Sequence, residues 1–182
     1  KALDAYNEQA RLVEGDAETM RDTIYEAWRT HRDEGLRPPR IAGTGEMVAE
    51  LNGRARADLI EAGRVEAEGV ELHDGTTAGV GDLVVTRLND RRLTTGRTWV
   101  KNGDRWQVTH RYEDGSLALR RLGKGDQPRG KALVLPAKYV HEELELGYAS
   151  TVHRAQGASV DTAHALVDPE VSSRELFYVA MT

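Results

Sequence analysis

Apolar residues recur at helical spacing along the first third of the chain. Leu3, Tyr6, Ala10 and Val13 form one stripe, and Met20, Ile24 and Trp28 form a second after a break at Gly15-Asp16. Two amphipathic helices are predicted, stopped by Pro38-Pro39. RIAGT, 40–44, then reads as a short buried strand whose end turns directly into a helix carrying Val48, Leu51, Ala55 and Leu59 as far as Gly63. From Gly81 to about Pro136 the period changes to two. In RWQVTHRY the residues Trp106, Val108, His110 and Tyr112 alternate with Arg105, Gln107, Thr109 and Arg111, the pattern of a strand with two unlike faces. Asn102-Gly103 and Asp114-Gly115 separate successive strands and supply the positive φ that tight hairpins require.

Several short strands joined in this way predict a small antiparallel barrel of SH3-like or OB-like form. After Pro136 the helical and extended periods mix again. ELGYAS reads as a short strand, VHRAQ as a short helix stopped by Gly157, and VDTAHALV as another strand. The last element, SSRELFYVAMT, opens with a capping box in which Ser172 covers helix amides and Glu175 reaches back to it. The simplest topology is one α/β layer built from both ends of the chain, 1–78 and 141–182, with an antiparallel barrel inserted between them over 79–140.

Length and composition narrow the functional classes. With 182 residues, 39% of them hydrophobic, the chain can bury one good core and a small second one. No apolar run approaches the roughly 20 residues of a membrane span. The opening KALDAYNEQARL lacks the apolar region of a signal peptide, so a cytoplasmic location and no membrane partner are expected. There is no cysteine, and six scattered histidines offer no zinc spacing, so no metal site is expected. The net charge of −5 argues against indiscriminate nucleic-acid binding, but it is unevenly spread. Residues 1–36 hold five basic against nine acidic side chains, whereas 87–131 hold twelve against five, a balance of +7. That segment is either a solvated rim or a local surface for a polyanion.

GDQPRGKA, Gly125 to Ala132, has the Gly-x-x-x-x-Gly-Lys skeleton of a phosphate-binding loop. A working loop needs a preceding strand, a following helix whose amides face the phosphates, and Ser or Thr after the Lys to hold Mg²⁺. Here Ala132 replaces the hydroxyl, Pro128 stiffens the loop, and LVLP reads as a strand. The segment is therefore expected to be a turn between strands.

The densest chemistry lies in GYASTVHRAQGASVD, 147–161. Thr151, His153, Arg154 and Gln156 crowd onto one strand-to-helix turn, with small Ala149, Ala155, Gly157 and Ala158 leaving the backbone open to close approach. A hydroxyl and first-turn amides can donate there to a phosphate. The alternative is a capped surface helix whose Thr151 satisfies its own amides.

The run Y-A-x-T-x-H-x-x-Q-G-x-S-V-D, followed by S-R-E-L-x-Y-V-A-M-T, resembles motifs V and VI of superfamily 1 helicases, in the form found in conjugative relaxases with a fused helicase half. IAGT with LNGRAR, 51–56, resembles the region around motif IV, and GDLVVTRLND with WVKNGDRWQV resembles the barrel insertion of the same proteins. The resemblance implies the second RecA-like domain of a DNA translocase, an α/β fold with a largely parallel sheet, interrupted by an SH3-like insertion. It implies that Thr151 and Thr44 contact phosphates of single-stranded DNA, that His153 meets the adjoining backbone or base, and that Asn52 and Gln156 line the same groove. Arg154 would either join them or pair with an acid of the core. Gln156, Gly157 and Ser159 would border the nucleotide cleft.

The ATP loop, the Mg²⁺ ligands and the catalytic glutamate would belong to a first RecA-like domain elsewhere in the parent, beside a relaxase domain. An arginine finger would follow Thr182. ATP and Mg²⁺ would then serve the full-length protein, while this fragment would bind neither and be inactive alone. The rival expectation is a binding module centred on Arg87, Arg91, Arg92, Arg105 and Arg111, with Trp99 and Trp106 either stacking bases or filling the barrel core.

Overall fold

A computed structural model of the chain describes residues 15–33, 40–42, 45–96, 98–123, 127–151 and 164–166. Helix α1, Ala17–Asp33, begins where Asp16 caps it. The Asp16 carboxylate accepts from the Glu18 amide at 3.1 Å, the Thr19 amide at 2.9 Å and the Thr19 hydroxyl at 2.6 Å, meeting amides that a helix start leaves without partners. It buries Ile24 and Trp28, two positions of the stripe read from the sequence, together with Tyr25, while Met20 is partly buried. The helix expected over Leu3 to Val13 lies outside the described residues.

Strand β1, Arg40–Ala42, leads into helix α2, Gly45–Glu61, which buries Val48, Leu51, Asn52, Ala55, Arg56 and Leu59. Gly63, at φ 65, ends α2: its amide donates to Ile60 and that of Arg64 to Leu59, the paired bonds of a Schellman stop. Arg54 holds α1 against α2, ion-paired to Asp22 at 2.7 Å and lying over the Tyr25 ring at 4.3 Å. β1 pairs in parallel with β11, Ala149–Thr151, and with β12, His164–Leu166, giving a three-stranded parallel sheet of order β11-β1-β12.

Between these strands the chain is antiparallel. β2, Val70–Glu71, and β3, Thr77–Ala78, form one hairpin; β5, Asp90–Thr95, and β6, Thr98–Val100, form another. A five-stranded sheet runs in the order β10-β4-β7-β8-β9, from β4, Leu83–Thr86, β7, Arg105–Arg111, β8, Leu117–Leu122, β9, Pro128–Leu135, and β10, Leu144–Leu146. Helix α3, Ala137–Glu143, precedes β10. The sheet packs on Val84, Trp106, Val108, Leu117, Leu119, Leu135, Val140, Leu144 and Leu146, all essentially inaccessible.

Three local expectations change. The alternation of β7 does not run through to Tyr112, because a bulge between Val108 and His110 reverses the faces: Trp106 and Val108 are buried while His110 and Tyr112 are exposed. Gly130 and Lys131 sit inside strand β9 and not in a turn, at a second irregularity where Gly130 takes φ 72. ELGYAS is not one strand. Leu144–Leu146 pairs with β4 in the antiparallel sheet, Ala149–Thr151 pairs with β1, and Gly147-Tyr148 carries the chain between sheets, so antiparallel pairing continues past residue 140.

Candidate nucleic-acid interface

Thr151 lies half-buried in β11, with Ala42 beside it in register on β1. The described parts of the two parallel strands thus place Thr151 opposite Ala42, toward the carboxyl side of a parallel sheet, where open α/β sheets bind ligands. Among the described residues β11 is paired with β1 alone, and its beginning is held by side chains from elsewhere in the fold.

That hold is a buried polar network. Asn52, from the middle of α2, is wholly inaccessible. Its Nδ2 donates to the Leu146 carbonyl at 3.2 Å and its Oδ1 accepts from the Ala149 amide at 2.6 Å, so the side chain bridges the end of β10 and the start of β11. One turn further, Arg56 Nε donates to Asp82 Oδ2 at 2.8 Å, and Nη2 donates to the carbonyls of Glu66 and Ala67 at 2.8 and 3.2 Å. Asp82 also accepts from the Gly79 amide at 2.8 Å and from the Tyr148 hydroxyl at 2.7 Å, and that hydroxyl accepts from the Leu83 amide at 3.3 Å. Burial, with the Asp82 carboxylate beside it, pushes the Tyr148 phenol far above its ordinary range, so it remains a donor. A charge pair with side chains 10% and 0% exposed is tolerable because its remaining bonding capacity is filled in this way.

Asn52, expected at the DNA, is buried here with two main-chain partners, and it fixes the path of the chain into β11. Thr44, His153, Arg154, Gln156, Gly157 and Ser159 lie outside the described residues, as do Ser172, Arg174 and Glu175. Sequence reading missed Arg56, Asp82 and Tyr148 as members of one cluster. The available signal was that a Gly-Asp pair before a strand and a tyrosine within GYAS are polar groups placed in otherwise apolar surroundings.

The basic segment is more neutral on its surface than its charge count suggests. Of the five arginines named for it, Arg87 is ion-paired with Glu145 at 3.5 Å, Arg92 with Asp90 at 2.8 Å, and Arg111 with Glu68 at 2.7 Å. The two tryptophans divide. Trp106 is core, inaccessible beneath the Arg121 guanidinium at 4.8 Å. Trp99, on β6, is half-exposed with Arg91 and Lys101 over its ring at 5.3 and 5.5 Å.

Comparison with known proteins agrees with the family read from the sequence. No family model matches the chain. Over its whole length it is 31% identical to the "Probable conjugal transfer protein TraA" of Sinorhizobium fredii, and 32% identical to the conjugal transfer protein TraA of Agrobacterium fabrum. It spans 16% of the length of each of these relatives. Among solved structures it is similar to that of two coordinating Pif1 helicases at forked double-stranded DNA, with a TM-score of 0.54 at 16% identity, covering 94% of this chain and 45% of that one. The chain is thus homologous along its entire length to one segment of the TraA conjugal transfer proteins, and its fold is similar to that of Pif1 helicases.

Proposed function

We propose that the chain is the second RecA-like part of an ATP-dependent DNA translocase of conjugative transfer, in which β11 delivers Thr151 to a phosphate of single-stranded DNA. The observation that carries this reading is the parallel register of β1 and β11, which sets Thr151 beside Ala42 on the carboxyl side of the sheet. A hydroxyl there can donate to a backbone oxygen without reading sequence, which is what a translocating grip requires. Thr44, His153, Arg154 and Gln156 complete the groove in this proposal, and Gln156, Gly157 and Ser159 border the ATP cleft of the parent. The antiparallel sheet with its hairpins is the SH3-like insertion.

The phosphate-loop skeleton does not fit a nucleotide here. Lys131 lies in strand β9, and Ala132 follows it in the same strand, so no helix start faces a phosphate from that position. ATP and Mg²⁺ are accordingly assigned to the parent protein, bound chiefly by its first RecA-like domain, and the isolated chain is proposed to lack ATPase activity.

A second reading rests on Trp99, whose flanking cations suit a polyanion with stackable bases. Titration of a labelled single-stranded oligonucleotide at two salt concentrations separates the two. Half a groove on a chain of net negative charge should bind with a dissociation constant of about 10⁻⁴ M or weaker, and more weakly as salt rises. Thr151→Ala should reduce binding more than Trp99→Ala; the reverse order would move the function to the hairpin.

A further inference from the structure

We propose that Tyr148 is a positioning residue, whose hydroxyl, shared between Asp82 and the Leu83 amide, ties the path of β11 to the antiparallel sheet so that displacement of that sheet reaches Thr151. The proposal rests on the reading of Thr151 as a DNA contact for its functional meaning, though not for its geometry.

Four anchors converge on 146–149. Asn52 holds the Leu146 carbonyl and the Ala149 amide from the side of α2. From the other side the Gly147 amide donates to Leu83 at 2.8 Å, and Tyr148 bonds Asp82 and Leu83. Leu83 begins β4, with Asp82 just before it, and β4 lies between β10 and β7 in the five-stranded sheet. There is little slack: a Cβ at Gly147 would stand 3.0 Å from Val85 Cγ2. Beyond Ala149 the strand pairs, among the described residues, with β1, and Thr151 follows two residues later. Asn52 therefore sets β11 against α2, and Tyr148 sets it against the inserted sheet. A load on the sheet has a direct hydrogen-bonded route to the Thr151 strand.

Hydrogen exchange on the 182-residue chain tests this directly. Tyr148→Phe keeps the ring and removes two bonds; the amides of 149–151 should exchange roughly tenfold faster, while those of β7 and β8 keep their wild-type protection. Asp82→Asn, which retains the shape, should loosen the same three residues. Unchanged exchange at 149–151 in Tyr148→Phe overturns the proposal, and so does an equal acceleration across every strand, which marks a general loss of stability. Oligonucleotide titration adds the functional arm. Tyr148→Phe should weaken binding severalfold in the wild-type background and have no effect in Thr151→Ala; equal weakening in both backgrounds also overturns the coupling. If Thr151→Ala alone leaves affinity unchanged, the DNA reading fails, and the exchange data still decide the positioning role.

Discussion

Arg56→Ala removes the centre of the buried network, and its cost follows from what it leaves behind. The guanidinium makes three bonds in the structure, one to Asp82 and two to the carbonyls of Glu66 and Ala67. Residues 66 and 67 are exposed, so water can replace the arginine at those carbonyls with little loss. Asp82 is wholly inaccessible and would keep a carboxylate facing only the Gly79 amide and the Tyr148 hydroxyl. Removing one partner of such a pair costs about 3–5 kcal/mol, a large part of the roughly 5–15 kcal/mol that keeps a domain folded. With a urea m-value of about 2 kcal/mol/M, the unfolding midpoint should fall by about 2 M. Arg56→Lys keeps the charge but not the fork that serves Asp82 and the carbonyls together, and should lose about 1–2 kcal/mol. Replacing both partners, Arg56→Met with Asp82→Asn, should recover part of the Arg56→Ala loss, since no charge is then stranded. Urea titration followed by circular dichroism measures all three. An Arg56→Ala midpoint within about 0.3 M of wild type would refute the reasoning, because it would mean that Asp82 finds other compensation.

Gly79→Ala should destabilise by about 1–3 kcal/mol in the same assay, since an added Cβ would meet the main-chain oxygens of Glu68 and Glu66, which cannot swing aside; wild-type stability would mean that the 66–68 segment yields. Leu51→Ala, at a wholly buried position of α2, should cost about 2–5 kcal/mol, and a smaller loss would indicate that the cavity collapses. Three aspartates contribute to the acid behaviour, Asp16 and Asp114 exposed and the Asp90 side chain 12% exposed. The hydrogen bonds from Thr19 to Asp16, from Arg92 to Asp90 and from Ser116 to Asp114 hold these carboxyls below the ordinary value of 3.8, Asp90 at about 2. A depressed carboxyl contributes stability that is fully present above its unfolded pKa and lost as pH falls through the folded one, so these contributions should disappear between about pH 4 and 2. Asp90→Asn should flatten stability against pH in that window, and an unchanged slope would count against the Arg92 contact.

The periodic elements were legible because each is encoded locally. The stripe Val48, Leu51, Ala55 and Leu59 specifies α2, and Asn102-Gly103 and Asp114-Gly115 specify the turns flanking β7. Helix α3 was missed: it is only Ala137–Glu143, with Tyr139 and Val140 as its buried residues, too short to establish a period. The split of ELGYAS was invisible for a different reason. Its two halves belong to different sheets, and what separates them is contact with Asn52, 94 and 97 positions away in sequence. The buried network was illegible for the same cause, since Asp82 and Tyr148 acquire meaning only from partners brought up by the fold. Thr151 was legible as chemistry, a hydroxyl at a strand end; that Ala42 stands beside it required the register of β1.

The pairing of β10 with β4 has a consequence for how such a chain can be altered. The excursion leaves at Asp82 and returns at Gly147, and these points are already adjacent, since the Gly147 amide bonds the Leu83 carbonyl. The chain's two crossings into this sheet form one narrow neck, while the buried side chains beyond it share a core with those of α1 and α2. A short bridge across that neck closes a loop at little entropic cost, whether the lobe beyond it is large, small or exchanged for another. A change of length in that region can therefore leave the pairing of β1 with β11 in place, provided the neck still presents an aspartate to Arg56 and Tyr148 and the core shared with α1 and α2 is refilled.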